Sequence, residues 1–143
     1  MHVLSILVLL LLAPLSFATA AQDRFACQSN GSELHQLRIY ELNRSNKDAF
    51  HRRFHDHALR IMKRHGFRII DMWESDTGKK VEFVYLLSWP DKATMDARWK
   101  DFLADQEWID IKRKSVAESG ELVGEVSSRS MTRVSYSPAC PRQ

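Results

Sequence analysis

The stretch Val81-Glu82-Phe83-Val84-Tyr85-Leu86-Leu87-Ser88-Trp89 decides the fold. Alternation places Val81, Phe83, Tyr85, Leu87 and Trp89 on one face, the period-two signature of a strand, while Val84 and Leu86 stand on the other. A strand that is apolar on both faces is one that is covered on both faces. Immediately upstream, Asp76-Thr77-Gly78-Lys79 reads as a turn, which makes residues 67–74 the other arm of a hairpin. Downstream, Pro90-Asp91 ends the strand and caps a helix over 92–104 with Met95, Trp99, Phe102 and Leu103 as its apolar stripe. A further helical stretch carrying Ile109, Ile111 and Val116 runs on to Gly120.

Toward the N-terminus, residues 34–41 alternate again, with His35, Leu37 and Ile39 on one face and Leu34, Gln36, Arg38 and Tyr40 on the other. Cap residues at 43–46 introduce an amphipathic helix over 47–64, in which Phe50, Phe54, His57 or Ala58, and Ile61 recur at helical spacing before Gly66 stops it. Residues 121–125 read as a connection and 126–136 as a polar, serine-rich last strand. The order β-α-β-β-α-β specifies an α+β, ferredoxin-like domain: one antiparallel sheet with its helices on a single face. The apolar second face of the third strand then needs a cover. A second copy packed sheet against sheet predicts a homodimer, a dimeric α+β barrel; the alternative cover is the 109–125 segment.

The ends of the chain read differently. From Val3 to Phe17 the only polar side chains are Ser5 and Ser16, and the run leads through Pro14 into Ala18-Thr19-Ala20, a small-x-small cleavage pattern. Residues 1–20 are read as a signal peptide, residues 21–33 as a polar leader, 34–137 as the domain and 138–143 as a tail. The expectation is an exported protein, periplasmic or secreted, that meets a membrane only through its signal before cleavage. Two cysteines in an exported chain predict one disulfide. Cys27 and Cys140 flank strands that lie side by side in this topology, so a bridge between them is reasonable, worth about 4 kcal/mol in the chain-entropy model.

Of the chain's 143 residues, 21 are Lys or Arg and 18 Asp or Glu, a net charge of +3. Residues 44–68 hold eight of those basic residues against Asp48 and Asp56, so the positive charge is local. Phe50 and Phe54, the aromatics interleaved with the basic residues of helix 47–64, belong to its apolar stripe, and no nucleic-acid partner is expected. His51 and His55 stand four apart and could share a metal on one helix face, with Asp56 or His57 nearby. The surrounding arginines oppose a cation, which favours a solvated basic helix face. Arg38 and Tyr40 share a strand face, and with Trp73 and Tyr85 they form a candidate cleft for a flat or carboxylate-bearing ligand. Trp99 and Trp108 are assigned to the core. Nothing matches G-x-S-x-G, a Walker-type loop, a Rossmann glycine pattern or C-x-x-C, so no catalytic constellation and no cofactor are assigned.

Particular residues resemble the NIPSNAP family: Leu37-Arg38-Ile39-Tyr40-Glu41-Leu42, Phe83-Val84-Tyr85-Leu86-Leu87, and Ala97-Arg98-Trp99-Lys100-Asp101-Phe102 running into Asp105-Gln106-Glu107-Trp108. Gln106 stands where that family usually shows proline. The resemblance implies a ferredoxin-like domain that dimerises into an α+β barrel, as in antibiotic-biosynthesis monooxygenases and haem-degrading enzymes, and implies no particular reaction. Two functions follow as expectations. One is an exported homodimeric domain that binds a small ligand or a protein partner. The other is a monooxygenase of the barrel type, cofactor-independent or haem-using, acting on a small aromatic substrate.

Overall fold

The structure, a computed structural model, describes residues 34–134 and 136. Its elements follow the expected order: β1 (Leu34–Leu42), a long helix in three parts, then β2 (Arg68–Asp76), β3 (Val81–Trp89), α3 (Lys92–Ala104), α4 (Gln106–Ser119) and β4 (Val123–Thr132). The three parts of the long helix are α1 (Lys47–Arg53), a π-helical turn (Phe54–Ala58) and α2 (Leu59–Arg64). All strand pairs are antiparallel, in the order β2-β3-β1-β4. This is the α+β, ferredoxin-like arrangement, with the second crossover divided into two helices. The signal peptide, the leader, Cys27, Cys140 and the tail lie outside the described residues.

The π turn has a cause in the spacing of the apolar residues. Phe50, Phe54 and Ala58 are all buried and fall four apart, a spacing that drifts by about 40° per step around a regular helix. In the wide turn Leu59 N–H donates to the Phe54 carbonyl, five residues back, which takes up the drift and keeps the row facing the sheet. At the far end Gly66, at φ 76°, provides the left-handed residue that turns the chain into β2. In the second crossover Asp91 accepts the Thr94 N–H at 2.7 Å to start α3. Asp105 accepts the Trp108 N–H at 3.2 Å and is the entire connection between α3 and α4. Gln106 is thus the first residue of α4, the helix position where a proline costs nothing because the N–H has no partner in the helix.

The last strand begins at Val123 and ends at Thr132, earlier at both ends than the 126–136 reading. Val126 lies opposite Tyr40 but Val123 lies opposite Leu42, so β4 carries one extra residue around Gly124-Glu125. That bulge breaks the alternation and hides the strand's start in the sequence.

The core lies between the sheet and the helices. Val81, Phe83, Tyr85, Leu87 and Trp89 of β3 pack with Phe50, Phe54, Ile61, Met62, Phe67, Met95, Phe102, Trp108 and Leu122. Helix α4 packs on α1, the π turn and α3, so the 109–125 segment joins the helical layer and does not cover the second face of the sheet. On that second face Leu37 lies opposite Leu86 and Ile39 opposite Val84, all four half-buried.

Candidate functional site

The cross-strand register sorts the proposed site residues. Arg38 lies directly opposite Tyr85, and Tyr40 opposite Phe83, which turns Gln36, Arg38 and Tyr40 of β1 toward the helices. The polar face of this strand is therefore the inner one. Trp73 lies opposite Val84 and so belongs to the second face, separated from the other three by the sheet. Trp73 does not join the cleft: a one-residue change of register moves a side chain across a sheet, and the extra residue in β2 between Ile69 and Asp71 is such a change.

Between β1, the bulged start of β4, α3 and α4 lies a cleft of about 510 Å³. Its walls include Arg38, Tyr40, Trp99 and Trp108, with Arg53, Lys112, Glu121 and Val126 around them. The Arg38 guanidinium lies 4.7 Å from the Trp99 ring centroid and 5.2 Å from that of Tyr40, within cation–π range. Arg38 Nη2 donates to the Tyr40 hydroxyl at 3.0 Å, and the Tyr40 and Tyr85 hydroxyls are hydrogen-bonded at 3.0 Å. Arg38 Nε is buried and has no hydrogen-bond partner among the described residues. Burial, reinforced by Tyr40, pushes the Tyr85 phenol well above its ordinary value against the opposing pull of Arg38. Tyr85 therefore keeps its proton and serves as a hydrogen-bonding support behind Tyr40, with 1% of its surface exposed.

Gln36 holds the wall in place. Its Oε1 accepts from Trp89 Nε1 at 3.1 Å and Trp99 Nε1 at 2.8 Å, and its Nε2 donates to Ser128 Oγ at 2.9 Å. One buried amide thus joins β1, β3, β4 and α3. At the rim, Asn46 Nδ2 donates to the Ser119 and Glu121 carbonyls at 2.7 and 3.0 Å. This fixes the turn at Gly120, which has φ 75°, and with it the approach to β4.

The sequence points to Arg38 and Tyr40 but not to Gln36 or Arg53, nor to the cleft-lining side of Trp99 and Trp108. The sequence assigns both tryptophans to the core; Trp108 is in it and Trp99 packs against it, and each also lines the cleft. The basic composition of the helix puts Arg53 on a solvated face. It is half-buried instead, with Nη1 donating to Ser115 Oγ at 2.9 Å and its guanidinium 5.7 Å from the Trp108 ring centroid. Burial lowers its pKa. The available signal was its place directly before the buried Phe54.

The basic helix is more paired than its composition implied. Arg44 binds Asp76, Lys47 binds Glu74, Arg60 binds Glu107, and Arg64 binds both Asp105 and Glu107. His51 and His55 both line a separate groove of about 420 Å³, floored by Phe54, Leu59, Met72 and Phe83. They engage different carboxylates, His51 Nε2 with Glu74 at 2.8 Å and His55 Nδ1 with Asp56 at 2.6 Å. Among the described residues no three His, Cys, Asp or Glu side chains are grouped to hold a metal ion.

Residues 35–138 match the sequence model of the family described as NIPSNAP. The chain belongs to the NIPSNAP family. Solved NIPSNAP structures share its fold. A NIPSNAP-like domain protein from Burkholderia xenovorans is 23% identical with a TM-score of 0.65, over 78% of this chain and 93% of that one. A NIPSNAP family protein of unknown function from Agrobacterium tumefaciens is 17% identical with a TM-score of 0.64, over 76% and 95%. A Nitrosomonas europaea protein described as an antibiotic biosynthesis monooxygenase is 11% identical with a TM-score of 0.51, over 74% and 94%. The sequence matches no curated protein. At these identities the likeness is one of fold, and the NIPSNAP domain's function has to be argued from its own cleft.

Proposed function

We propose that this NIPSNAP domain is an exported, homodimeric binding protein that holds a small flat ligand in the cleft between β1, β4, α3 and α4. The observation that carries the reading is Arg38: a guanidinium held against Trp99 with a buried Nε that the described residues leave without an acceptor. A buried donor without a partner costs about 1–3 kcal/mol, a cost that a bound acceptor removes. Ring faces on either side of an anchoring cation are the usual make-up of a small-molecule site. Mass spectrometry of material released from natively purified protein should give a discrete aromatic compound, and that compound should quench Trp99 and Trp108 fluorescence. Loss of the quenching in Arg38→Met is expected; a variant that binds as well as the parent would sink the reading.

Homodimerisation is supported by the second sheet face, where Leu37, Ile39, Val84 and Leu86 form an apolar row flanked by exposed Trp73 and Met131. Light scattering should give twice the chain mass. Export is supported by the 1–20 sequence alone, and a mature N-terminus at Ala21 is the expected product. The Cys27–Cys140 bridge gains support from the pairing of Leu34 with Thr132, since β1 begins and β4 ends at the same end of the sheet. Catalysis on the same ligand would need a base in the cleft. Tyr85 keeps its proton and Glu121 is the carboxylate among the lining residues, so oxygen consumption that depends on Glu121 is the result that would replace binding with an oxygenase.

A further inference from the structure

The cleft has two cationic stations rather than one. The inner station is Arg38, on the central strand β1, with its guanidinium against Trp99 and Tyr40. The outer station is Arg53 at the end of α1 together with Lys112 on α4, whose charged groups lie 5.7 and 5.8 Å from the Trp108 ring centroid. These two residues reach the cleft from different helices and meet at one aromatic ring. Among the described residues none of the three cations makes an ion pair, although the neighbouring basic residues Arg44, Lys47, Arg60 and Arg64 all do. Against the three, the cleft lining offers one carboxylate, Glu121. The walls therefore carry a net positive charge of two in a partly desolvated space, between ring faces.

Resting on the binding reading above, we propose that the ligand is a flat aromatic dianion, with one anionic oxygen group on Arg38, the other between Arg53 and Lys112, and its ring among Trp99, Tyr40 and Trp108. Charge is the deciding argument. A neutral aromatic would fill the cleft and leave Arg38 without a counter-charge and the outer pair with Glu121 alone, and a single carboxylate would serve only one station. Two anionic groups carried on one rigid ring supply a charge for each station, and guanidinium forks favour such planar acceptors. Arg53 also cannot withdraw to water cheaply, because Ser115 Oγ and the Trp108 ring hold it in the wall.

The test compares terephthalate, benzoate and neutral dimethyl terephthalate by calorimetric titration of the whole mature protein at fixed ionic strength. Terephthalate should bind at least about tenfold more tightly than benzoate, the equivalent of one charge-assisted contact. Arg53→Gln and Lys112→Gln should each shrink that ratio, and Arg53→Lys should restore part of it. Lys112→Gln removes a side chain that makes no hydrogen bond or ion pair among the described residues, so it keeps the test valid should Arg53→Gln fold poorly. Equal affinities for terephthalate and benzoate, or a ratio unmoved by both substitutions, would overturn the dianion while leaving the cleft as a binding site. Preference for dimethyl terephthalate would overturn the anionic ligand in the same way. Binding of none of the three would overturn the dianion, and a copurifying compound that still depends on Arg38 would show that the binding reading survives it.

Discussion

The two faces of the sheet reverse the usual rule for a strand that is half-exposed. On the face toward the helices, β1 presents Gln36, Arg38 and Tyr40; on the face away from them it presents Leu37 and Ile39. An antiparallel strand ordinarily turns its apolar side to the core and its polar side to water. Here the polar side is kept because the space beneath it is a cleft that partners Gln36 and Tyr40 and leaves the Arg38 Nε free for an acceptor, and the apolar side is left for a surface of another kind. The lesson is that the period of a strand tells which residues are neighbours, while the side that faces inward depends on what the rest of the chain provides.

The largest expected effect that separates the faces comes from adjacent leucines in β3. Leu87, with no exposed surface, packs toward the helices, and Leu86 belongs to the other face. Leu87→Ala should cost about 2–5 kcal/mol in chemical denaturation at high dilution, where any dimer is dissociated, while Leu86→Ala should cost about 1 kcal/mol or less. Equal costs would erase the distinction.

Gln36 offers the next test, on the polar inner face. Gln36→Leu removes the acceptor of two indole N–H groups and should destabilise by about 2–4 kcal/mol, with a change in near-ultraviolet circular dichroism from Trp89 and Trp99. A neutral outcome would mean that this amide is replaceable by packing. On the outer face, Val84→Glu places a charge in the proposed contact between copies and should convert a dimer into a monomer by light scattering with little change in protomer stability.

Much of this was legible from residues 81–89, because a strand buried on one face and apolar on the other constrains the sheet, the helical layer and the free side together. The β3 span and the long helix follow directly from period and caps. The site was legible only in part. Arg38 and Tyr40 stood out as a polar pair among apolar neighbours, but Trp99 and Trp108 carry no mark that separates a core ring from a cleft ring. Trp73 went to the wrong face because the bulge in β2 adds a residue that alternation cannot count. Arg53 looked like one more charge on a basic helix, since burial of a guanidinium depends on where α4 lies.

The smallest expected effect concerns acid. Asp76, Asp105, Glu74 and Glu107 all titrate below their ordinary values because hydrogen bonds from Arg44, His65 with Arg64, Lys47 with His51, and Arg60 with Arg64, respectively, favour the charged forms. Their stabilisation is complete above the unfolded carboxylate range near pH 4 and is lost as pH falls through the depressed folded values. Denaturation midpoints should hold steady from neutrality to about pH 5 and decline below it. The pairs of Asp76, Glu74 and Glu107 are exposed, so 0.5 M salt should flatten their share of that decline, whereas the share of Asp105, 11% exposed, and the Leu87 and Gln36 effects should respond less to salt.

The π turn makes the long helix behave as two short shafts joined by a coupling that holds one spare residue. Losing one residue from Phe54–Ala58 would let the helix close into regular turns with the two shafts close to their present orientation, because a wide turn is an α-helix that has taken in one residue without passing the rotation on. Inserting a further residue into either shaft has no such outlet and would turn everything beyond it by about 100°. Either Phe50 and Arg53 or Ile61 and Met62 would then swing out of the positions they occupy. The coupling already holds the one extra residue this helix can absorb, and the next would disturb core and cleft together.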